Sequence, residues 1–138
     1  HMSDTIISAA YAPVTLVMLL ALLQFFGFMI AVGRARYRYG VKAPATSGNE
    51  DFERVYRVQM NTLEMLAIFV PSLWSFAIYI SPIWAAGLGL VFIVGRTLYF
   101  TGYVKSADKR SLGFSLSMFP TLFLLLGGLF GAVRAALG

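Results

Sequence analysis

Three long stretches of this chain carry no formal charge: residues 5–33, 65–95 and 111–133. A bilayer's hydrocarbon core is about 30 Å thick and takes roughly 20 helical residues to cross. The first and last runs therefore each supply one span. The middle run has room for most of two, with Ser81-Pro82 as the break. Of the 138 residues 59% are hydrophobic and only 12% charged, which is not a soluble composition. The expected fold is all-α, an integral membrane four-helix bundle. It forms one domain over residues 1–138, with spans near 11–32, 58–80, 83–103 and 111–136.

The first apolar run is too long for a secretory leader and lacks a basic n-region, so a cleaved signal peptide is not expected. His1-Met2 reads as a cloning remnant. With His1 set aside the chain has no histidine, and it has no cysteine. Zinc sites, disulfides, protein thiol nucleophiles, Ser/His/Asp triads and histidine-ligated haem fall away together. No metal site is expected. Chemistry must come from Arg, Glu, Asn, Tyr and Ser.

The net charge of +5 is unevenly spread. Arg34, Arg36, Arg38, Lys42, Arg54 and Arg57 lie in or beside the first connection, and Lys105, Lys109 and Arg110 in the third. In a four-span chain these two connections share one side of the membrane. The positive-inside rule makes that side cytoplasmic and places both termini opposite. Arg38, Lys42 and Lys105 need no role beyond topology and attraction to anionic lipid. Basic residues tied to membrane ends are a poor fit to nucleic acid.

One stretch stands apart, Glu53-Arg54-Val55-Tyr56-Arg57-Val58-Gln59-Met60-Asn61-Thr62-Leu63-Glu64. As a helix it brings Arg54, Arg57, Asn61 and Glu64 to one face, at spacings of three, four and three. Counting back about 20 residues from Ile80 reaches Asn61, which puts Glu64 inside the bilayer boundary. An ionised side chain at mid-membrane costs about 2.5–3.5 kcal/mol on insertion scales, less near the interface. Span three repeats the spacing with Arg96, Tyr99 and Tyr103. Arg96 is a natural partner for Glu64, since each is otherwise an unpaired charge in a low dielectric. Among lesser features, Pro13 suits the first turn of span one, and Pro71 and Pro120 suit kinks. Gln24 can pack toward a neighbouring helix, and Gly127 with Gly131 hints at close helix packing.

Three segments thus deliver polar side chains to one membrane depth. They are Arg54, Arg57, Gln59, Asn61 and Glu64; then Arg96, Tyr99 and Tyr103; then Arg110 and Ser111, with Arg34 or Arg36 as a further cation. Cations outnumber the one buried carboxylate, so the implied ligand is anionic. Glu64 and Asn61 add places for an ammonium or amide. A small, peptide-like, multiply charged molecule fits this inventory.

The same residues carry a resemblance. The Glu53–Glu64 stretch resembles the second-helix motif of the MAPEG family, the membrane-associated proteins in eicosanoid and glutathione metabolism. Gly95-Arg96-Thr97-Leu98-Tyr99-Phe100-Thr101-Gly102-Tyr103, followed by Arg110-Ser111, resembles that family's third-helix end and fourth-helix start. The similarity covers essentially the whole chain, and Arg-x-x-x-Asn-x-x-Glu with the downstream tyrosines and arginine is specific in combination. The resemblance implies a homotrimer of four-helix subunits, with glutathione held between neighbours near the cytoplasmic face. It implies Arg57, Gln59, Asn61, Glu64, Tyr99 and Tyr103 as glutathione ligands, with Glu64 on the ammonium and the arginines on the carboxylates. Arg34, or Arg36, matches an arginine contributed across the interface. Arg110 matches the arginine beside the glutathione sulfur, and Ser111 a serine found there in the prostaglandin E synthase branch. Arg54 and Arg96 are left supporting roles. The chain departs at Met65, where the cysteinyl-leukotriene synthase branch has a tyrosine.

The chemistry implied is thiolate stabilisation. A free thiol ionises near pH 8.5, and an adjacent arginine favours its anion. Glutathione as co-substrate would bring the nucleophile that the chain lacks, and an apolar electrophile would arrive from the lipid. Conjugation and reduction of a lipid hydroperoxide both use that thiolate. Two other classes remain open on the sequence: a non-catalytic lipid-binding or scaffold protein of the same fold, and a small four-span multidrug exporter with Glu64 as its coupling carboxylate.

Overall fold

A computed structural model describes residues 1–138 as four long helices and one short turn. Helix α1 is Met2–Tyr39, α2 Glu50–Tyr79, α3 Pro82–Tyr103 and α4 Ser111–Leu137, with a 3-10 turn at Ala107–Arg110 before α4. All four helices are long and apolar enough to cross a membrane.

Local sequence accounts for most of the helix ends. α1 stops at Gly40, which takes the left-handed conformation with φ 69° that costs a residue without a Cβ least. The Asn49 side chain caps α2 by accepting from the Phe52 amide at 3.0 Å. Glu50, Asp51 and Glu53 then sit in the first turn, where the helix dipole favours them. Ser81 caps α3, accepting from the Trp84 amide at 3.3 Å, with Pro82 opening the helix.

Pro13 departs from expectation, lying well inside α1 instead of at its first turn. The helix extends past the membrane-length window because Met2–Ala12 contains no helix breaker, and Pro13 itself removes only one backbone donor. The basic collar around Arg34, Arg36 and Arg38 is likewise the last turns of α1.

α2 and α3 pack together and form the centre; α1 covers both from one side and α4 covers both from the other. The core is apolar. Phe69 and Phe92 stack at 3.8 Å between ring centroids, among Val14, Val17, Leu66, Leu73, Phe76 and Leu124. Met65 also faces this core. Gly127 lies against the Phe76 ring and Gly131 against Tyr79 and Ile80, so the small-residue pair joins α4 to α2. The outer faces carry exposed Leu16, Leu19, Leu23, Phe119, Phe123 and Leu126. Lipid solvates such a surface; water does not.

Candidate functional site

The polar segments meet at the end of the bundle that holds the first and third connections. Arg57 and Asn61 of α2, Tyr99 and Tyr103 of α3, and Arg110, Ser111, Phe114 and Ser115 line one cleft of about 460 Å³. A second cleft of about 420 Å³, with Glu50, Glu53, Arg54 and Tyr56 in its walls, shares Arg57 and Tyr103 with the first. An apolar groove of about 370 Å³, lined by Leu88, Leu116, Phe119, Pro120 and Phe123, shares Ser115. The polar cleft therefore lies between a charged antechamber and a greasy slot.

Two glycines place Arg110 and Ser111 there. A Cβ on Gly113 would stand 2.2 Å from the Tyr99 amide nitrogen, and one on Gly102 would stand 2.2 Å from the Lys109 carbonyl oxygen. Neither distance is tolerable, so only glycine lets α4 begin directly against α3. The Tyr99 ring then packs with Tyr103 at 5.3 Å and Phe114 at 6.4 Å between centroids. Arg110 is exposed, its guanidinium donating to the Ala107 carbonyl of the preceding turn.

Arg96 is wholly buried, and it does not pair with Glu64 as expected. Its Nε donates to Ser117 Oγ at 2.8 Å, and its Nη1 to Asn61 Oδ1 at 2.7 Å and Thr62 Oγ1 at 3.2 Å. Its Cζ lies 4.3 Å from the centre of the Tyr99 ring. Glu64 instead faces Arg57, with the two guanidinium nitrogens 3.3 and 3.4 Å from its oxygens. Helical pitch explains the exchange. Seven residues fall about 20° short of two full turns, whereas four overshoot one turn by about 40°. Arg57 and Glu64 thus stay together on the outer stripe while Asn61 rotates inward toward α3. Both members of the outer pair remain about half exposed, at 48% and 57%.

The other expected residues divide. Arg54 is a strut, bound to Asp51 and to the Val104 carbonyl at 3.3 Å. Gln59 is half-buried, and neither it nor Glu64 lines the polar cleft. Arg34 lies on α1, in a groove with Arg38, Tyr39 and Phe100, and a single subunit does not bring it to Arg57. Arg36 is occupied elsewhere, donating to the Ala45 carbonyl at 2.7 Å and lying 4.9 Å over the Phe52 ring. Of the two arginines, Arg34 is the one free to meet a ligand.

Sequence reading overlooked four residues: Phe114 and Ser115 in the cleft wall, and Thr62 and Ser117 around Arg96. A usable signal existed for the serines, since Ser115 lies one turn beyond Ser111 and Ser117 two turns beyond Arg110 in an otherwise apolar span.

Fold and cleft together define a class: an integral membrane protein of four helices, with an anion-receptive cleft at one end and an apolar groove beside it. The chain belongs to the MAPEG family, whose model matches residues 14–130. It is 54% identical to an uncharacterized protein of Synechocystis over 114 residues, 83% of each chain. It is 44% identical to human microsomal glutathione S-transferase 2 over 110 residues, 80% of this chain and 75% of the human one. Leukotriene C4 synthase of Cavia porcellus is 39% identical over 132 residues, 89% of this chain and 87% of that one.

Proposed function

We propose that this protein is a glutathione transferase of the membrane, joining the glutathione sulfur to lipophilic electrophiles. The observation that carries the reading is the cleft itself. Arg57, Asn61, Tyr99, Tyr103, Arg110 and Ser111 line one space, and the chain has no thiol of its own. A tripeptide with two carboxylates and a thiol matches those donors. Relatives that are a microsomal glutathione S-transferase and a leukotriene C4 synthase, at 44% and 39% identity, support the same substrate class.

In this reading Arg57 and Asn61 hold the peptide, with Gln59, Glu64, Tyr99 and Tyr103 completing its contacts, and Glu64 takes the ammonium. Arg110 lies nearest the sulfur. Arginine stays protonated, so it acts as a fixed cation and not as a base. The thiol proton goes to solvent, and the guanidinium stabilises the anion left behind. The thiolate then forms a C–S bond as the electrophile's leaving group departs with its electron pair, or as an epoxide C–O bond opens and its oxygen takes up a proton. Ser111, in the same cleft wall, would donate to the developing negative charge. The apolar groove beyond Ser115 would seat the electrophile. The same thiolate can attack the terminal oxygen of a lipid hydroperoxide, an S–O bond forming as the O–O bond breaks and the lipid alkoxide takes up a proton. A second glutathione thiol then displaces water from that sulfenic acid to give the disulfide.

The reading extends to assembly. On α2, Arg57, Met60, Glu64, Ala67, Pro71, Trp74 and Ile78 recur at alternating spacings of three and four. All are exposed in the single subunit except half-buried Met60. Such a stripe is the seam of a helix association about a symmetry axis, and a homotrimer would bring Arg34 of a neighbour toward the cleft. The cleft faces the cytoplasm, with both termini opposite, because the basic connections lie at its end.

The test is conjugation of a chloronitrobenzene to glutathione by the purified full chain in detergent or lipid. Turnover is expected, and Arg110→Ala should remove most of it. Normal turnover in that variant, or no glutathione binding by the parent, overturns the assignment.

A further inference from the structure

We infer that Arg96 is a positioning residue that turns the Asn61 carboxamide so that its NH2 group, not its oxygen, faces the cleft. The wall at Asn61 then donates to a carboxylate or carbonyl of the ligand and offers nothing to an ammonium. This rests on the reading of the cleft as a glutathione site.

The orientation follows from hydrogen-bond bookkeeping. A guanidinium only donates. Around it, Ser117 gives its hydroxyl proton to the Gly113 carbonyl at 2.6 Å, and Thr62 gives its own to the Val58 carbonyl at 2.7 Å. Both oxygens are therefore left as acceptors toward Arg96, and the guanidinium is anchored to α2 and α4 from α3. Anchored so, its Nη1 stands 2.7 Å from Asn61, and only the carboxamide oxygen can accept there. With the oxygen turned inward, the planar amide must project its nitrogen the other way, and Asn61 is a wall of the cleft. The amide flip that is ordinarily ambiguous is decided here by a neighbour with no acceptor.

The charge matters as well as the geometry. No carboxylate forms an ion pair with Arg96; Glu64 is held by Arg57, and the three acceptors of Arg96 are neutral. The same guanidinium lies against the Tyr99 ring. The Asn61 wall is thus oriented by one buried cation that does not itself line the cleft. A purely structural arginine would staple the three helices and leave ligand preference alone.

Substitutions at Asn61 separate these cases. Asn61→Asp is nearly isosteric, pairs with Arg96 and keeps the fold, but brings no N–H to the cleft. Its thermal midpoint in lipid nanodiscs should match or exceed the parent's while glutathione affinity falls tenfold or more. Asn61→Ala, which removes the donor without adding charge, should also weaken glutathione about tenfold. Tighter binding by Asn61→Asp, or unchanged binding by Asn61→Ala, overturns the proposal. The role of Arg96 is read from coupling. Arg96→Lys should raise the glutathione KM with little change in kcat, and should add nothing further in the Asn61→Ala background. Additive effects overturn it. If Arg96→Lys does not fold, Ser117→Ala releases the guanidinium more gently and should show the same dependence on Asn61. A parent protein that binds no glutathione overturns both this inference and the reading beneath it; a parent that binds with unaffected variants overturns this inference alone.

Discussion

Gly113 rests directly on the backbone of Tyr99, closer than any side chain would allow. That contact seats the start of α4 against the end of α3, and it sets where Arg110 and Ser111 stand. Gly113→Ala forces the helices apart at the cleft. Overpacking of this kind costs about 1–3 kcal/mol. The thermal midpoint in detergent should fall by several degrees, and the glutathione KM should rise with it. A stable variant with parental kinetics would show that the contact yields easily.

The role of Arg110 predicts a pH dependence with a definite sign. A cation beside a thiol lowers its pKa below about 8.5, so thiolate persists at lower pH. kcat/KM should rise as pH increases through that lowered value. In Arg110→Ala the profile should move to higher pH, with a loss at pH 7 of about tenfold or more that partly recovers in alkaline buffer. Rate measurements across the pH range, with the absorbance of bound thiolate, check this.

Arg34 and Arg36 are two residues apart and should behave differently. Arg36 is tied to the Ala45 carbonyl and the Phe52 ring. Arg36→Ala should loosen the connection between α1 and α2, read as faster proteolysis there, with glutathione affinity intact. Arg34→Ala should weaken glutathione severalfold and leave proteolysis unchanged. The reverse pattern exchanges their roles.

The exposed stripe of α2 gives a test of assembly. Ala67→Glu sets a carboxylate at each copy of the seam, in the membrane, where like charges repel without water to screen them. Native mass spectrometry should find monomers in place of trimers, and glutathione binding should weaken because the neighbour's arginine is lost. A trimer that persists would place the seam elsewhere.

The lack of cysteine makes topology easy to read. Ser47→Cys should react with an impermeant maleimide from the cytoplasmic side only, and Ser3→Cys from the other. Opposite labelling would invert the orientation argued from Arg34, Arg36, Lys105 and Lys109.

Much of the fold is legible because single residues decide it. Ser81-Pro82 splits the middle apolar run, and the charge-free runs set the number of helices. Helical spacing also brought Arg57 and Asn61 to one face. Spacing alone does not resolve how far each residue turns about the bundle, and so it points Arg96 at Glu64 where Asn61, Thr62 and Ser117 surround it. Spacing along one helix fixes angle relative to that helix alone; the partner depends on how α2, α3 and α4 are rotated against each other. Pro13 lies inside α1 for a different reason. Membrane thickness limits the apolar segment but not the helix, which continues on the N-terminal side of Pro13 back to Met2.

α1 has 38 residues, about 57 Å of helix against a hydrocarbon layer of about 30 Å. Its excess is a stiff mast, and Arg34 rides on the mast rather than on a loop. The backbone freedom at that arginine is already lost when the subunit folds, so an arriving anion has only a side chain to order, at roughly 2 kcal/mol or less. Because α1 is packed against both α2 and α3 and its Gln24 is hydrogen-bonded to Ile93 and Thr97, the height of that guanidinium is set by the bundle and not by the thickness of the bilayer.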